Sequence, residues 1–156
     1  MRTVVLSALV LAGMVSGCGP AIGSRVVTPA TESVVVRARG GELPASPKGV
    51  DCSDHTALYA LDRKTHELAW DFCFVQQHGK RVLAGEELRT LEQTLAELEV
   101  VRSEHLCAPD AVEVLVTTTG SRSVTYRNDL CADEPPVLDN GAVGRLLKLL
   151  ATLAGV

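Results

Sequence analysis

The sequence contains few aromatic residues: one Trp, two Tyr and two Phe among 156 residues. Because aromatic rings usually supply much of a core's buried area, a core built from this chain must be mainly aliphatic. Apolar residues make up 46% of the chain and charged residues 22%, a balance typical of a folded globular protein. At this length we expect a single domain with a core of modest size.

The chain also lacks the motifs that carry the commonest chemistry. It has no phosphate-binding Gly-rich loop, no Gly-x-Ser-x-Gly elbow, no His-Glu-x-x-His zinc helix and no Cys-x-x-Cys pair. The formal net charge of -4 provides no excess of Lys and Arg for a general phosphate-binding surface. These absences favour a non-enzymatic protein with no cofactor, no metal and no nucleic-acid partner.

The first residues are typical of an export signal. Arg2 supplies the positive charge, and about twelve largely apolar residues follow, too few for a membrane-spanning helix of about 20 residues. The run ends Val15-Ser16-Gly17-Cys18, which resembles the lipobox of bacterial lipoproteins. The resemblance implies that residues 1–17 are removed and that Cys18 is acylated and anchors the protein to a membrane. An ordinary secretory signal is the alternative.

In that class, Asp after the lipidated cysteine is a common signal for retention in the inner membrane. Here Gly19 follows Cys18, which favours the outer membrane. The localisation expected is therefore the bacterial cell envelope, with a lipid anchor in the outer rather than the inner membrane.

Residues 18–50 are rich in Gly, Pro, Ser and Thr, a composition that predicts a flexible tether behind the lipidated N-terminus. The β-branched run Ser33-Val34-Val35-Val36-Arg37 could add an edge strand. Residues 51–156 are predicted to form the folded domain.

Four cysteines remain for the domain, and an even number in an exported protein predicts disulfides. Cys52 and Cys73 enclose twenty residues, and Cys107 and Cys131 enclose twenty-three. Each pair brackets a predicted hairpin, whose open ends lie close together, so we favour Cys52–Cys73 and Cys107–Cys131. A Cys73–Cys107 bridge is the rival pairing.

The two cysteine pairs mark a possible ββα repeat over residues 51–102 and 107–156. In the first unit, residues 57–61 and 68–74 are predicted strands, and in the second, residues 112–116 and 124–126. Each hairpin precedes a helix. The order β-β-α-β-β-α predicts an α+β domain, with a four-stranded antiparallel sheet and both helices on one face.

Both predicted helices have an aliphatic stripe. Leu88, Leu91, Leu95 and Leu98 form the first stripe; Val143, Leu146, Leu147, Leu150 and Leu153 form the second. We expect Asp139 or Asn140 to cap the second helix. Burial against the sheet is the expected role of each stripe. A coiled coil is the alternative for the first and membrane-surface association for the second.

The strongest candidate for a metal or nucleophilic site is the run Asp51-Cys52-Ser53-Asp54-His55. It offers two carboxylates, an imidazole and a thiol, and it places Ser53 next but one to His55. Export favours a disulfide over thiolate ligation, and a Ser beside a His is common by chance. We therefore predict no catalytic and no metal site.

The remaining candidates are single residues or loops. His66, His78 and His105 are predicted to be exposed in turns, and Trp70 is predicted to lie in the core. The acidic residues 129, 133, 134 and 139 suggest a solvated loop rather than a cation site, since their spacing matches no EF-hand.

Three functions are compatible with these observations. We favour a non-enzymatic, membrane-anchored lipoprotein that acts as an interaction, structural or inhibitor-like module for another envelope protein. The first alternative is a carrier of a small ligand or metal, with an aliphatic pocket between helices and sheet. The second is an envelope hydrolase using Ser53 and His55.

Overall fold

A computed structural model describes residues 20–40, 49–102, 112–128 and 137–155. Within these ranges the chain forms one eight-stranded mixed sheet and two helices. The strands are β1 (Ser33–Arg39), β2 (Ala57–Asp62), β3 (Glu67–Phe72), β4 (Gln77–Val82), β5 (Val100–Val101), β6 (Glu113–Thr119), β7 (Ser123–Asn128) and β8 (Val137–Leu138). The helices are α1 (Gly85–Ala96) and α2 (Asn140–Ala154). The α+β class is confirmed, but the prediction of a four-stranded sheet is wrong.

The strand order is β4-β3-β2-β1-β6-β7-β8-β5. Neighbouring strands are antiparallel except for β7 and β8, which are parallel over two residue pairs. The two predicted hairpins are present as β2–β3 and β6–β7. They do not pair with each other, because β1 lies between them and pairs with β2 on one side and with β6 on the other.

The position of β1 corrects the prediction of a tether. Residues 20–40 belong to the folded domain: β1 is a central strand, and Val26 and Val27 are buried. Upstream of β1, the Gly23 and Val26 amides donate hydrogen bonds to carbonyls of residues 98–100, beside β5. Composition alone suggested a linker here. The β-branched run of β1 instead pairs with a strand on each edge, so its backbone groups find hydrogen-bond partners on both sides.

Strand β4 was not predicted, because its sequence, Gln-His-Gly-Lys-Arg-Val, shows no alternation of apolar and polar residues. It is an edge strand, and most of its side chains are exposed. Its place in the sheet comes from backbone pairing with β3, in register from Gln77 opposite Phe72 to Val82 opposite Glu67. A strand with little burial on either face carries no period-2 signal.

Both helices pack against one face of the sheet. Leu91 and Leu95 of α1, and Leu146 and Leu150 of α2, line the same interior space as side chains of β1, β2 and β3. That space has a volume of only about 10 Å³, no more than a single water needs. The predicted burial of both leucine stripes is confirmed, since only Leu88 and Leu147 are partly exposed.

The ends of α2 follow local rules. The Asp139 side chain accepts a hydrogen bond from the Ala142 amide at 2.7 Å, which confirms the predicted cap. Gly155 ends the helix in the left-handed region, at a φ of 82°. Neither helix is long and apolar enough, within the described chain, to cross a bilayer.

Trp70 covers a glycine on the neighbouring strand. It packs against the core from β3, as predicted, and lies opposite Gly79 of β4. A Cβ atom added at Gly79 would lie 2.5 Å from Cζ2 of the indole ring. Any other residue at Gly79 would push the ring away from the core.

We predict that Gly79→Ala lowers the free energy of unfolding by about 1–3 kcal/mol, because the new methyl group displaces a packed ring. The matched control is Gly144→Ala in α2, where an added Cβ meets no atom within 4 Å. That change should stabilise the protein by about 0.5–1 kcal/mol through helix propensity. Denaturant unfolding, followed by tryptophan fluorescence, measures both changes. A change of the same sign in the free energy of unfolding of both variants would contradict this explanation.

Candidate functional site

The face of the sheet opposite the helices brings together polar and apolar side chains from five strands. Within the described residues no helix or strand packs on it. We call it the open face and define it by the outward side chains of β1, β2, β3, β6 and β7. These are Val35, Arg37, Arg39, Leu58, Ala60, Ala69, Asp71, Glu113, Leu115, Thr117, Thr125 and Arg127.

Strand register interleaves charged and apolar side chains on the open face. Reading across from β3 to β7, Asp71, Leu58, Arg37, Leu115 and Arg127 lie opposite one another in successive strands. The neighbouring line, two residues along each strand, is Ala69, Ala60, Val35, Thr117 and Thr125. The centre of the open face is therefore small and apolar, and charges lie among and around it.

A charged cluster joins β1 to the β6–β7 hairpin. The Arg39 guanidinium donates a hydrogen bond to the Glu113 carboxylate, and Arg127 lies 3.9 Å from the same carboxylate. The hydrogen bond from Arg39 is the main cause that lowers the pKa of Glu113. The same hydrogen bond raises the pKa of Arg39. Glu113 thus stays ionised and fixes two arginines on the open face.

The disulfide Cys52–Cys73 closes the open end of the β2–β3 hairpin, with the two Cα atoms 5.7 Å apart. The predicted first pair is therefore present, and the rival Cys73–Cys107 bridge is excluded. The predicted Cys107–Cys131 bridge lies outside the described residues and stays a prediction. So does the lipidation of Cys18.

Beside this disulfide, His55 lies between two carboxylates. Its Nδ1 atom is 3.1 Å from Asp54 Oδ2, and its Nε2 atom is 3.3 Å from Asp71 Oδ2. The other oxygen of Asp54 accepts a hydrogen bond from Arg37 at 3.0 Å. The His55 side chain is only 16% exposed. These contacts link the loop after Cys52 to β1 and β3 and form one border of the open face.

The same contacts bear on the chemistry considered for residues 51–55. A nucleophilic Ser53 would need an imidazole nitrogen within hydrogen-bonding reach, but both nitrogens of His55 face carboxylates. The Ser53 amide instead donates to Asp51 Oδ1 at 2.9 Å, which makes a local turn. This hydrogen bond lowers the pKa of Asp51.

The carboxylates of Asp54 and Asp71 approach different nitrogens of the imidazole, so they do not converge on one point. Within the described ranges, no group of three or more His, Cys, Asp or Glu side chains could hold a metal ion.

The other histidines are dispersed. His66 is exposed in the β2–β3 turn, as predicted; His78 is exposed on β4; His105 lies outside the described residues. Of the acidic residues near the second predicted disulfide, Asp139 caps α2 and the other three also lie outside. The leucine face of α2 is buried in the core, which leaves no apolar face there for a membrane surface.

Sequence reasoning missed the charged part of the open face. Arg37, Arg39, Glu113 and Arg127 belong to three strands that meet only through the pairing of β1 with β6 and of β6 with β7. The usable signal was the alternation Arg37-Ala38-Arg39, which places both arginines on one side of a strand.

No protein-family model matches the chain, and no curated protein or solved structure is significantly similar to it.

We predict that non-reducing peptide mapping finds one peptide linked through Cys52 and Cys73 and a second linked through Cys107 and Cys131. Replacing Cys52 and Cys73 together by Ser should lower the free energy of unfolding by about 3 kcal/mol, since the crosslink restricts the unfolded chain. A peptide linking Cys73 to Cys107 would contradict both the structure and the predicted pairing.

The Glu113 pKa generates a prediction about pH. Folding lowers the pKa of Glu113 below its ordinary value of 4.5. A carboxyl of this kind stabilises the protein fully above its unfolded-state pKa. The stabilisation is lost as the pH falls through the lower folded-state pKa. Glu113→Gln should therefore be less stable at pH 7, by no more than about 1 kcal/mol at this half-exposed site. The difference should shrink as the pH falls below 4.5.

Urea unfolding at several pH values measures this difference. A double-mutant cycle with Arg39→Gln isolates the pair, because Glu113→Gln should cost less stability once Arg39 is absent. Equal costs in the two backgrounds would show that the pair contributes nothing.

Proposed function

We propose that this protein is a lipid-anchored lipoprotein of the bacterial envelope, on the outer membrane, and that its domain is a non-enzymatic module that binds another envelope protein through the open face. The observation that carries the binding role is the composition of that face: a small apolar centre among charges, on a rigid sheet. The lipobox-like sequence ending at Cys18 supports the anchor.

The centre of the open face suits a protein contact. Val35, Leu58 and Leu115 are only half-buried in the described structure, as are Ala60 and Ala69 between them. Burying such side chains against a partner contributes free energy roughly in proportion to the apolar area removed from water. Specific interfaces commonly combine an apolar centre with a polar rim.

The surrounding charges suit specificity. Arg39 and Arg127 are held by Glu113, and Arg37 is held by Asp54. Because these side chains are already positioned, they would lose less conformational entropy when a partner contacts them. Placed charges favour complementary partners and disfavour wrong ones.

Backbone hydrogen bonds and a disulfide constrain the region where this contact would form. The face belongs to five hydrogen-bonded strands, and the Cys52–Cys73 disulfide closes one of its ends. An inhibitor or structural module needs such a preorganised surface. The carrier alternative has less support, because the space between the helices and the sheet in the described part measures about 10 Å³.

The test is photo-crosslinking in living cells of the producing bacterium. A photoreactive amino acid is placed at Leu58 or Leu115 on the open face, and at Arg89 on α1 as the matched exposed control. We expect one and the same envelope protein to be captured from Leu58 and from Leu115, but not from Arg89 or without irradiation.

The expected capture should also fall when Arg37 and Arg127 are both replaced by Glu, because the charges around the centre are then reversed. Recovery of the protein alone from both open-face positions would contradict the proposal. Equal capture at Arg89 would show that the contact is not specific to the open face.

A further inference from the structure

Two surface cavities lie on either side of the chain that leads into β1, and both contain basic residues. One, of about 450 Å³, is lined by Arg63, Lys64, Glu32 and Glu92 among others. Its basic groups are neutralised within the cavity: Arg63 binds the Glu92 carboxylate at 2.6 Å, and Lys64 binds Glu32 at 2.8 Å. This cavity therefore has no net attraction for an anion.

The other cavity, of about 260 Å³, has the opposite balance. It lies between residues 20–31 and the β6–β7 turn, and it contains Arg25 and Arg122 but no Asp or Glu. Neither arginine side chain makes an ion pair or hydrogen bond with any residue that the structure describes. Glu99 lies opposite Arg25 across a β-bridge, yet no described ion pair joins the two side chains. We call this space the Arg25–Arg122 cavity.

Hydroxyl groups complete the lining. Ser24, Thr118 and Tyr126 lie along the Arg25–Arg122 cavity. The Ser24 hydroxyl is buried and has no hydrogen-bond partner within the described residues. Unpaired guanidinium groups with hydroxyl donors are the groups that bind phosphate oxygens in proteins.

The position of the cavity suggests the source of the phosphate. Pro20 and Ala21 line it, and Pro20 is two residues from Cys18. Two residues span at most about 7 Å, so an acylated Cys18 would hold the cavity beside the lipid headgroups. That separation is less than the screening length of about 8 Å at physiological ionic strength. A long tether would have removed this constraint, but residues 20–40 are part of the domain.

We propose that the Arg25–Arg122 cavity binds the phosphate group of a phospholipid next to the anchor and so orients the domain on the membrane surface. The inference rests on the proposed lipidation of Cys18. It adds a second, non-covalent membrane contact with defined chemistry, which would place residues 20–31 and the β6–β7 turn at the membrane surface.

The test uses the full mature lipidated protein in vesicles and measures backbone hydrogen exchange by mass spectrometry. One vesicle type is phosphatidylglycerol; the other is a neutral galactolipid without phosphate. We expect amides of residues 20–31 and 118–126 to exchange about 30-fold more slowly on phosphatidylglycerol than on galactolipid. This factor corresponds to the attraction of two arginines to an anionic surface.

The variant Arg25→Gln with Arg122→Gln should lose this protection. The control variant Arg89→Gln with Arg145→Gln removes the same charge from exposed helix positions and should keep it. An unchanged thermal unfolding midpoint of both variants shows that they fold. Loss of protection in the control as well would show a general charge effect and overturn the site.

Three further outcomes separate the possible failures. If inorganic phosphate in the buffer gives the same protection on galactolipid vesicles, the cavity binds free phosphate, and the assignment to lipid headgroups is overturned. Equal exchange on both vesicle types without added phosphate, for a protein whose intact mass includes the diacylglyceryl group, overturns the headgroup site alone. A mature protein without that added mass would overturn the anchor itself and the headgroup site with it.

Discussion

The rest of the structure depends on the pairing of β1 with two strands that are far apart in the chain. β1 is the only described link between the hairpin β2–β3 and the hairpin β6–β7, with six residue pairs on one side and seven on the other. It makes one continuous sheet, long enough for both helices to share a face. It also draws the preceding residues into the domain, so that the folded chain begins close to Cys18.

Both helices cover the same face of the sheet, and this explains why one face is aliphatic and the other mixes small apolar and charged residues. The aliphatic side chains of α1 and α2 fill the space above one face almost completely, and a core with few aromatic rings achieves this through leucine and valine. The other face keeps its alternation of small apolar and charged residues. Arg39 lies beside Glu113 of β6 and Arg37 beside Asp54 of the loop that precedes β2, so these charges are fixed in place.

The disulfide and the His55 contacts stabilise the same end of the sheet. Cys73 directly follows β3, and its amide bonds to the Thr56 carbonyl, so the crosslink extends the ladder past the strand ends. His55 uses both ring nitrogens in contacts with Asp54 and Asp71. Residues 51–55, which the sequence offered as a candidate metal or nucleophilic site, thus make structural contacts at this end of the sheet. One carboxylate partner of His55, Asp54, is adjacent in sequence, and the other, Asp71, is brought to it by the pairing of β2 with β3.

The sequence pattern by itself determined those elements of the protein that depend on contacts between residues close together in the chain. The leucine spacing of α1 and α2, the Asp139 cap, the β2–β3 hairpin and its disulfide all follow from interactions within about twenty residues along the chain. Tertiary structure alone decided the rest. Ser33–Arg39 became a central strand because residues 57–62 and 113–119 supply hydrogen bonds on both its edges. Gln77–Val82 became a strand through backbone pairing without burial. The open face and the Arg25–Arg122 cavity arise from the same long-range pairings, which no period or composition encodes, because backbone hydrogen bonds are independent of side-chain identity.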